Sequence, residues 1–340
     1  MTQNEYVKML YDLQAKTVDK SEIIEALRKR GIAFELNDGV RGLTRTKGKN
    51  DDELKRALEE ADRRRKNPTT SQLPNQKEAT EIIEKTRQNT LTAVEEMPDF
   101  VVKQQIQRAA AYAGTNNFRN LDRLVVAVSY RSTGEEDYKV LSVNGVLQEN
   151  PKQKNDYAET GGTSSTGEFV NVLSTIFKKE SDTQFEIVDT DLLNQRKTIV
   201  FDYSIDKDKA KQQVSFFGYY EQSTVTGMKG RIWIDRDNFR VLRVETAATE
   251  IPETFPIRSA KRVIDYDWVK ISDGNYLLPS LSDVRLTMRE GGKTYETRNL
   301  IRFKEYQKFG TDVIILDDDS APIEEEKPVS DKPAQEKPNR

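Results

Sequence analysis

The chain has 340 residues, of which 35% are hydrophobic and 33% charged, and its formal net charge is −3. This length allows two domains and a substantial core, and the near-neutral charge gives no overall attraction to nucleic acid or to an anionic membrane. The sequence contains no cysteine and no histidine. This excludes disulfides, thiolate and imidazole metal sites, and the catalytic arrangements that need either residue. Carboxylate, lysine, tyrosine and serine–lysine chemistry remain open to an enzyme. We expect a non-enzymatic protein with no catalytic residue, no metal and no cofactor.

Residues 1–66 are predicted to form a small helical module. Gly31 is typical of a helix end, and residues 50–53 are typical of a capping box that opens a further helix. Residues 67–75 contain two prolines among polar side chains, as a linker does. The basic run at residues 63–66 suggests nucleic acid, but it lacks interleaved aromatic residues. We favour a solvated helix end whose cations interact with the helix dipole.

A long amphipathic helix is predicted over residues 76–96, because apolar and threonine side chains recur there at three- and four-residue steps before Met97–Pro98. Alternating strands follow, then a short helix over residues 168–179, then further strands. No strand–helix–strand spacing repeats, which argues against a doubly wound parallel sheet. The strands predicted before residue 230 cover residues 99–112, 121–130, 138–146, 183–188, 197–203 and 214–220.

Residues 230–306 carry the clearest pattern, which is four or five strands of period-two alternation joined by short turns. The Asp-Gly and Gly-Gly steps in two of these turns suit tight hairpins, because glycine tolerates positive φ. Such alternation indicates a sheet with one buried and one solvated face. The set predicted to face inward, toward the helix at 76–96, is Ile232, Ile234, Leu242, Val244, Ile264, Tyr266, Trp268, Val284, Leu286 and Met288.

The Gly/Ser/Thr loop at residues 160–168 is the stretch that most resembles a chemical site. Backbone amides in such a loop before a helix can hold an anion. The loop lacks the lysine that ends a phosphate-binding loop, however, and no histidine is present to activate a serine. A capping box formed by Ser165 and Glu168 explains the pattern more simply.

Two groups of acidic residues have a plain structural interpretation beside a functional one. Residues 235–238 resemble a cation-binding loop, but they provide too few oxygen ligands in sequence, and a hairpin turn with Asx hydrogen bonds is favoured. Asp265 and Asp267 lie on one face of a strand and could act as an acid–base pair. Solvated pairing with Arg262 or Lys270 is the simpler interpretation.

Residues 317–340 are predicted to be a disordered acidic tail, because they combine acidic runs with three Lys-Pro pairs and few apolar residues. No apolar run approaches the length of a membrane span. The first residues lack the basic and apolar pattern of a secretory signal. If the protein is exported, we expect that its signal peptide has already been removed from this sequence.

Three stretches resemble bacterial envelope proteins of the outer-membrane lipoprotein-carrier type: residues 99–107 after their helix, residues 230–245, and Tyr276-Leu-Leu-Pro279 before its strand. The likeness covers residues 76–315. It implies a curved antiparallel half-barrel closed by helices, with a hydrophobic cavity for acyl chains. The chain is also similar to a wider group of uncharacterised secreted bacterial proteins with the same Gly/Ser loop and Trp-containing strand.

We therefore predict an α+β fold, in which a small helical bundle (residues 1–66) and a linker (67–75) precede a helix and half-barrel domain (76–316) and a tail (317–340). The expected function is non-enzymatic binding or carriage of a lipid or lipoprotein acyl chain in the periplasm or outside the cell, with no nucleic acid and no transmembrane segment. The residues expected to bind the ligand are Ile234, Leu242, Val244, Tyr266, Trp268, Leu286 and Met288.

The alternative is a protein-interaction or assembly module with a solid core, in which residues 1–66 dock an envelope protein. An empty apolar pocket favours the carrier, whereas a filled core with an exposed apolar patch favours the interaction module. The aromatic residues of the strands fit either function, because they can form core pairs or line a cavity.

Overall fold

The computed structural model of the chain describes residues 1–66, 73–115, 117–148, 163–164, 166–217, 221–310, 319 and 321–323. Within these ranges it contains seven α-helices and a twelve-stranded antiparallel sheet that curves without closing. The predicted α+β half-barrel is therefore confirmed. Most of the predicted linker, of the Gly/Ser loop and of the acidic tail lies outside the described residues.

The N-terminal module has a hydrophobic core of its own. Its first helix is closed by a capping box, in which the Thr2 hydroxyl accepts from the Glu5 N–H and the Glu5 carboxylate accepts from the Thr2 N–H at 2.6 Å. The apolar faces of four helices meet around the fully buried Tyr6, Leu10 and Leu27. These helices are α1 (Gln3–Gln14), α2 (Lys20–Arg30), α3 (Asp38–Lys47) and α4 (Asp52–Lys66).

The sheet runs in the order β4-β3-β2-β1-β12-β11-β10-β9-β8-β6-β5, and β7 pairs with the first half of β8. Pairing of the first long strand with the last places β1 and β12 in the middle of the sheet, and β4 and β5 at its edges. The strands are β1 (Phe100–Tyr112), β2 (Arg119–Tyr130), β3 (Glu136–Val143), β4 (Val146–Leu147), β5 (Gln184–Leu193), β6 (Arg196–Ile205), β7 (Gln212–Phe217), β8 (Glu221–Asp235), β9 (Val241–Thr249), β10 (Ile257–Ile271), β11 (Gly274–Glu290) and β12 (Lys293–Lys308).

Helices α5 (Gln76–Glu95) and α6 (Asn171–Phe177) cover one face of the sheet, which we call the inner face. Short helical turns at Lys179–Ser181 and α7 (Lys207–Ala210) complete the helical elements. The α5 cluster joins both covering helices to β6, β8, β9 and β10 through Ala79, Ile82, Ile83, Val172, Ile176, Phe177, Ile199, Phe201, Tyr203, Ile205, Ala210, Met228, Ile232, Ile234, Val241, Val244, Ile264 and Tyr266.

A second apolar cluster continues the core along the inner face beneath β1, β2, β3 and β12. Residues that pair directly across antiparallel strands share a face. Ser282 of β11 pairs with Ile264 of the α5 cluster on one side and with Ile301 of the second cluster on the other. The two clusters therefore lie side by side on one face. The second includes Met97, Phe100, Val102, Ile106, Leu124, Val126, Val128, Tyr130, Tyr138, Val140, Phe169, Ile271, Leu278, Val284, Ile301 and Phe303.

The N-terminal module docks on the opposite, outer face of β5, β6, β8 and β9, mainly through charged side chains. The contact pairs Arg28 with Asp202 at 2.6 Å and Arg56 with Glu245 at 2.6 Å. A smaller apolar cluster of Val188, Val200 and Trp233 lies on this face of the sheet. Burial of charges on both sides fixes the position of the module while providing little net stabilisation.

Two residues of the predicted tail pack on the outer face of β1. The Asp319 carboxylate lies 2.6 Å from the ammonium of the fully buried Lys103 and accepts from Gln105 Nε2 at 2.7 Å. Ile323 is also buried, and its N–H donates to Gln107 Oε1 at 3.2 Å. At these positions the structure departs from the predicted disordered tail, because a buried lysine needs a carboxylate partner.

The charged docking contact predicts that the module separates from the half-barrel in high salt once the chain is cut. A protease recognition sequence inserted between residues 66 and 73 should yield two fragments that co-elute in size-exclusion chromatography at about 0.05 M NaCl. They should elute separately at about 1 M NaCl, where the screening length falls to about 3 Å. Fragments that remain together at the higher salt concentration would show that apolar contacts, not ion pairs, hold the module.

Candidate functional site

The inner face beneath α5 is the candidate site, and it contains three of the seven residues predicted to bind a ligand. Ile234 and Val244 are fully buried in the α5 cluster, and Tyr266 is 3% exposed there. They lie on β8, β9 and β10, three neighbouring strands. The predicted inward alternation therefore holds at these positions.

The predicted orientation of Leu242 and Trp268 is wrong. Leu242 is the extra residue of a β-bulge, since Ile234 pairs with Val241 and Trp233 with Arg243. Val241 therefore joins the α5 cluster in place of Leu242, which is buried outside it.

Trp268 is 45% exposed near the end of the β10–β11 hairpin, although its pairing partner Leu277 packs against the α5 cluster. There Val269 and Ile271, whose side chains alternate with that of Trp268 along the strand, pack in the second cluster. The turn follows a bulge in β11, where Ser280 is the extra residue opposite the Asp265–Tyr266 step. Bulges increase local twist, which reorients the end of the hairpin.

The last two predicted residues lie away from α5. Leu286 packs in a separate cluster with Val214, Phe255 and Ile257. Met288 is half-buried and pairs with Ile257 and Tyr295 near the end of β11. Neither residue belongs to the α5 cluster.

Helix α5 holds to the inner face through a narrow stripe of mostly small side chains. Its buried residues are Ala79, Ile82, Ile83, Thr86 and Thr90. Only two of these carry a large apolar side chain, although the helix is 20 residues long. The cover of the inner face is thus long but weakly anchored by apolar contact.

Polar contacts at one edge position the same helix. Asn89 Nδ2 donates to the Asn238 carbonyl at 3.1 Å, and the Arg240 guanidinium donates to the Asn89 carbonyl. Arg87 Nε donates to the Phe177 carbonyl of α6 at 3.1 Å. These hydrogen bonds hold α5 to the β8–β9 turn and to α6. The apolar contact between α5 and the sheet is made by its buried stripe alone.

The described part of the chain has two notable cavities, and neither is lined by any of the seven predicted residues. One, of about 140 Å³, lies between α4 and the outer face and includes Trp233 among its walls. The other, of about 570 Å³, lies at one end of the half-barrel beside Asp99, Ile271 and Tyr276. Ile234, Val244 and Tyr266 are instead buried against the other side chains of the α5 cluster.

The end of the Gly/Ser loop brings a buried carboxylate to the inner face. Glu168 is fully buried and lies three residues before the start of α6, whereas Ser165, its predicted capping-box partner, lies outside the described residues. Its Oε1 lies 4.0 Å from the Arg262 guanidinium. Nearby, Tyr138 donates to Glu136 Oε2 at 2.5 Å, and burial raises the pKa of Glu136.

The acidic residues of the hairpins have structural partners. Asp235 Oδ1 accepts from the Asp237 N–H at 2.9 Å and from the Asn238 N–H at 3.3 Å, which confirms the predicted Asx turn. Asp265 forms a bidentate ion pair with Arg243, in which Arg243 Nη2 donates to Asp265 Oδ2 at 2.9 Å and Arg243 Nε donates to Oδ1. The predicted partners were Arg262 or Lys270. Both contacts hold strands together.

A charged network between α4 and the outer face was not predicted from the sequence. Arg231, 6% exposed, contacts Glu60 and lies 2.6 Å from Asp202. Burial raises the pKa of Glu60, although the nearby Arg231 cation opposes that shift. The described chain thus buries two opposite charges at this interface.

The basic run of α4 belongs to the same network. Arg63 and Arg64 both contact the fully buried carboxylate of Asp189, Arg64 at 3.0 Å. The run is therefore not the freely solvated helix end that the sequence suggests. The only available signal was the pair Asp189 and Asp191 within β5, far from α4 in sequence.

Comparison with known proteins finds matches among solved structures alone. No protein-family model matches the sequence, and no curated protein matches it. A DUF1329 family protein from Desulfovibrio piger is 8% identical over 68% of this chain and 95% of its own, with a TM-score of 0.30. An outer membrane lipoprotein-sorting protein domain from Vibrio parahaemolyticus is 11% identical over 70% of this chain and 95% of its own, with a TM-score of 0.29.

A chain of the Pseudomonas aeruginosa MucA/MucB complex is 8% identical over 65% of this chain and 93% of its own, with a TM-score of 0.20. A lipoprotein-sorting domain, the type of protein that the sequence resembles, is thus among the structural matches. Because these TM-scores are low, function must be inferred from the residues of this chain. Among the described residues, no helix is long and apolar enough to cross a membrane, and no three potential metal ligands of the His, Cys, Asp and Glu types cluster.

The Arg231–Glu60 contact predicts a strong asymmetry between single and double substitution. Arg231→Met should destabilise the protein by about 3–5 kcal/mol, because it leaves a buried carboxylate without its cation. The double variant Arg231→Met with Glu60→Met should regain most of that loss. The measurement is urea unfolding, with Arg41→Met as the control, since its exposed pair with Glu59 contributes only about 0–1 kcal/mol. A double variant no more stable than Arg231→Met would contradict the pairing.

Proposed function

We propose that this chain is a non-enzymatic protein of the cell envelope that binds an acyl chain on the inner face of its half-barrel, beneath α5. The observation that supports this function is the contrast between a wide apolar face and a weakly anchored cover. Two neighbouring apolar clusters line the inner face, whereas α5 contributes only Ile82 and Ile83 as large buried side chains.

The free energies favour exchange of α5 for a ligand. Full burial of one isoleucine contributes about 1.5–3 kcal/mol, so the two isoleucines of α5 contribute about 3–6 kcal/mol. An acyl chain that buries about fifteen carbon groups, as a palmitoyl chain can, gains about 12 kcal/mol at about 0.8 kcal/mol each, which exceeds the isoleucine contribution by about 6–9 kcal/mol and reaches micromolar affinity at the upper end. A ligand can therefore replace the apolar contacts of α5 and still bind with a surplus.

The proposed binding surface is centred on Ile234, Val244 and Tyr266. It excludes Trp268, whose side chain faces solvent, so this residue provides a matched control among the aromatic residues of β10.

The first experiment asks whether α5 must move for binding. Asn89→Cys and Asn238→Cys introduce two thiols into a chain that has none, at neighbouring positions where Asn89 Nδ2 donates to the Asn238 backbone carbonyl at 3.1 Å. Joining them with a short thiol-reactive cross-linker should hold α5 on the sheet and abolish binding of a fluorescent fatty-acid probe. The single variant Asn89→Cys, treated identically, should bind as the unmodified protein does, and so should Trp268→Ala.

The alternative function is a protein-interaction or assembly module with a solid core. The observation that favours it is that Ile234, Val244 and Tyr266 are buried in the α5 cluster and line neither of the two cavities described above. If the unmodified protein binds no apolar probe at micromolar concentration, the carrier proposal is abandoned in favour of this one. If the cross-linked protein binds the probe normally, the ligand site lies elsewhere than beneath α5.

The cell-envelope assignment has its own test. Fractionation of the source cells, followed by detection with an antibody to the half-barrel, should find the protein in the periplasmic or secreted fraction. A marker of the cytosol provides the control for lysis. Protein confined to the cytosolic fraction would rule out a role in the envelope.

A further inference from the structure

The inner face contains polar side chains that the core itself does not satisfy. Thr86 Oγ1, Ser282 Oγ, the Tyr266 hydroxyl and both side-chain polar atoms of Gln104 have no hydrogen-bond partner among the described residues. Thr86, Gln104 and Ser282 are completely buried, and Tyr266 is 3% exposed. Each of them is surrounded by the two apolar clusters.

Strand register places two of these groups on the inner face of the sheet. Gln104 pairs with Phe303, which belongs to the second cluster. Ser282 pairs with Ile264 and Ile301, so it lies where the two clusters meet. An amide and a hydroxyl thus occupy positions that neighbouring strands fill with aliphatic or aromatic side chains.

The other two groups complete the set from either side of the α5 contact. Tyr266 is on β10, the strand next to that of Ser282, and Thr86 is on the buried stripe of α5. Burial raises the pKa of Tyr266, so its hydroxyl keeps its proton and remains a donor. Because neighbouring strands lie about 4.8 Å apart, the three sheet residues cover about 15 Å of the inner face.

Packing alone does not explain these residues. A buried polar group without a partner weakens the folded state, and an apolar group of similar shape is more favourable there. Unsatisfied buried groups in native structures call for an explanation, one of which is a partner outside the protein. An acyl ligand that extends along the inner face from α5 toward β1 would pass these side chains in turn.

We propose that Gln104, Ser282 and Tyr266 form a polar subsite that binds the amide by which an acyl chain is joined to its head group. This inference rests on the proposed function, because it places the subsite within the same acyl-binding face. The Gln104 side chain offers one donor and one acceptor side by side, which complements the N–H and C=O of a secondary amide. An ester has no donor and leaves the Gln104 oxygen unsatisfied, and a plain hydrocarbon satisfies neither atom.

The test compares three ligands of equal chain length, N-methylpalmitamide, methyl palmitate and hexadecane, by displacement of a fluorescent apolar dye. The unmodified protein should bind the amide about tenfold more tightly than the ester, the effect of one buried group left unpaired. Gln104→Leu should remove that preference while raising Tm by about 2–4 °C, because an unpaired amide has been replaced by an apolar side chain.

Two further variants keep the test decisive if Gln104→Leu folds poorly. Tyr266→Phe deletes one oxygen atom and should also weaken amide binding without lowering Tm. Ser142→Ala is the matched control, because Ser142 is equally buried and unpartnered among the described residues but lies on β3, away from Ser282 and Tyr266. It should raise Tm slightly and leave the amide preference intact.

The possible failures are distinguishable. If amide and ester bind equally well to the unmodified protein, the half-barrel binds acyl chains but the polar subsite does not exist. If Gln104→Leu or Tyr266→Phe lowers Tm and leaves the amide preference unchanged, a buried water satisfies these groups and the subsite is refuted. If none of the three ligands displaces the dye, the proposed function itself fails.

Discussion

The structure depends on how an open, curved sheet covers its apolar inner face. A closed barrel would bury that face within itself, but here β4 and β5 remain as edges and the cover is supplied by helices. Helix α5 contributes two large apolar side chains, so most of the burial comes from contacts among the strands and α6. The sheet is therefore stable as a layer, whereas its cover is stabilised only by a few kcal/mol of apolar contact.

The outer face differs from the inner face because it buries charged side chains against α4. Glu60 and Asp189 come from opposite sides of the contact between α4 and the sheet, and each meets arginines of the other side. Buried ion pairs of this kind add little net stability, but loss of one partner is costly. The network therefore determines the position of the module on the sheet more than it contributes to the free energy of docking. Full separation of the module returns these charges to water, where each is solvated.

Sequence patterns predicted the features that depend on local periodicity. The helix at 76–96, the strands of 230–306 and the Asx turn at Asp235 follow from spacing and turn chemistry within short windows. Leu242 and Trp268 were misplaced because a bulge depends on pairing with another strand, and alternation within one strand carries no signal of it. The Arg231–Glu60 contact joins residues 171 positions apart, so no local pattern predicts it.

The two ends of α5 are held to the half-barrel by different contacts. At its C-terminal end the chain passes directly through Met97, buried in the second cluster, into β1. Its N-terminal half holds both large buried side chains, Ile82 and Ile83, whereas the exposed pair of Glu78 with Arg236 at 3.5 Å contributes only about 0–1 kcal/mol. The apolar contacts of the two isoleucines, about 3–6 kcal/mol, are therefore the main contribution that a ligand beneath α5 would have to replace.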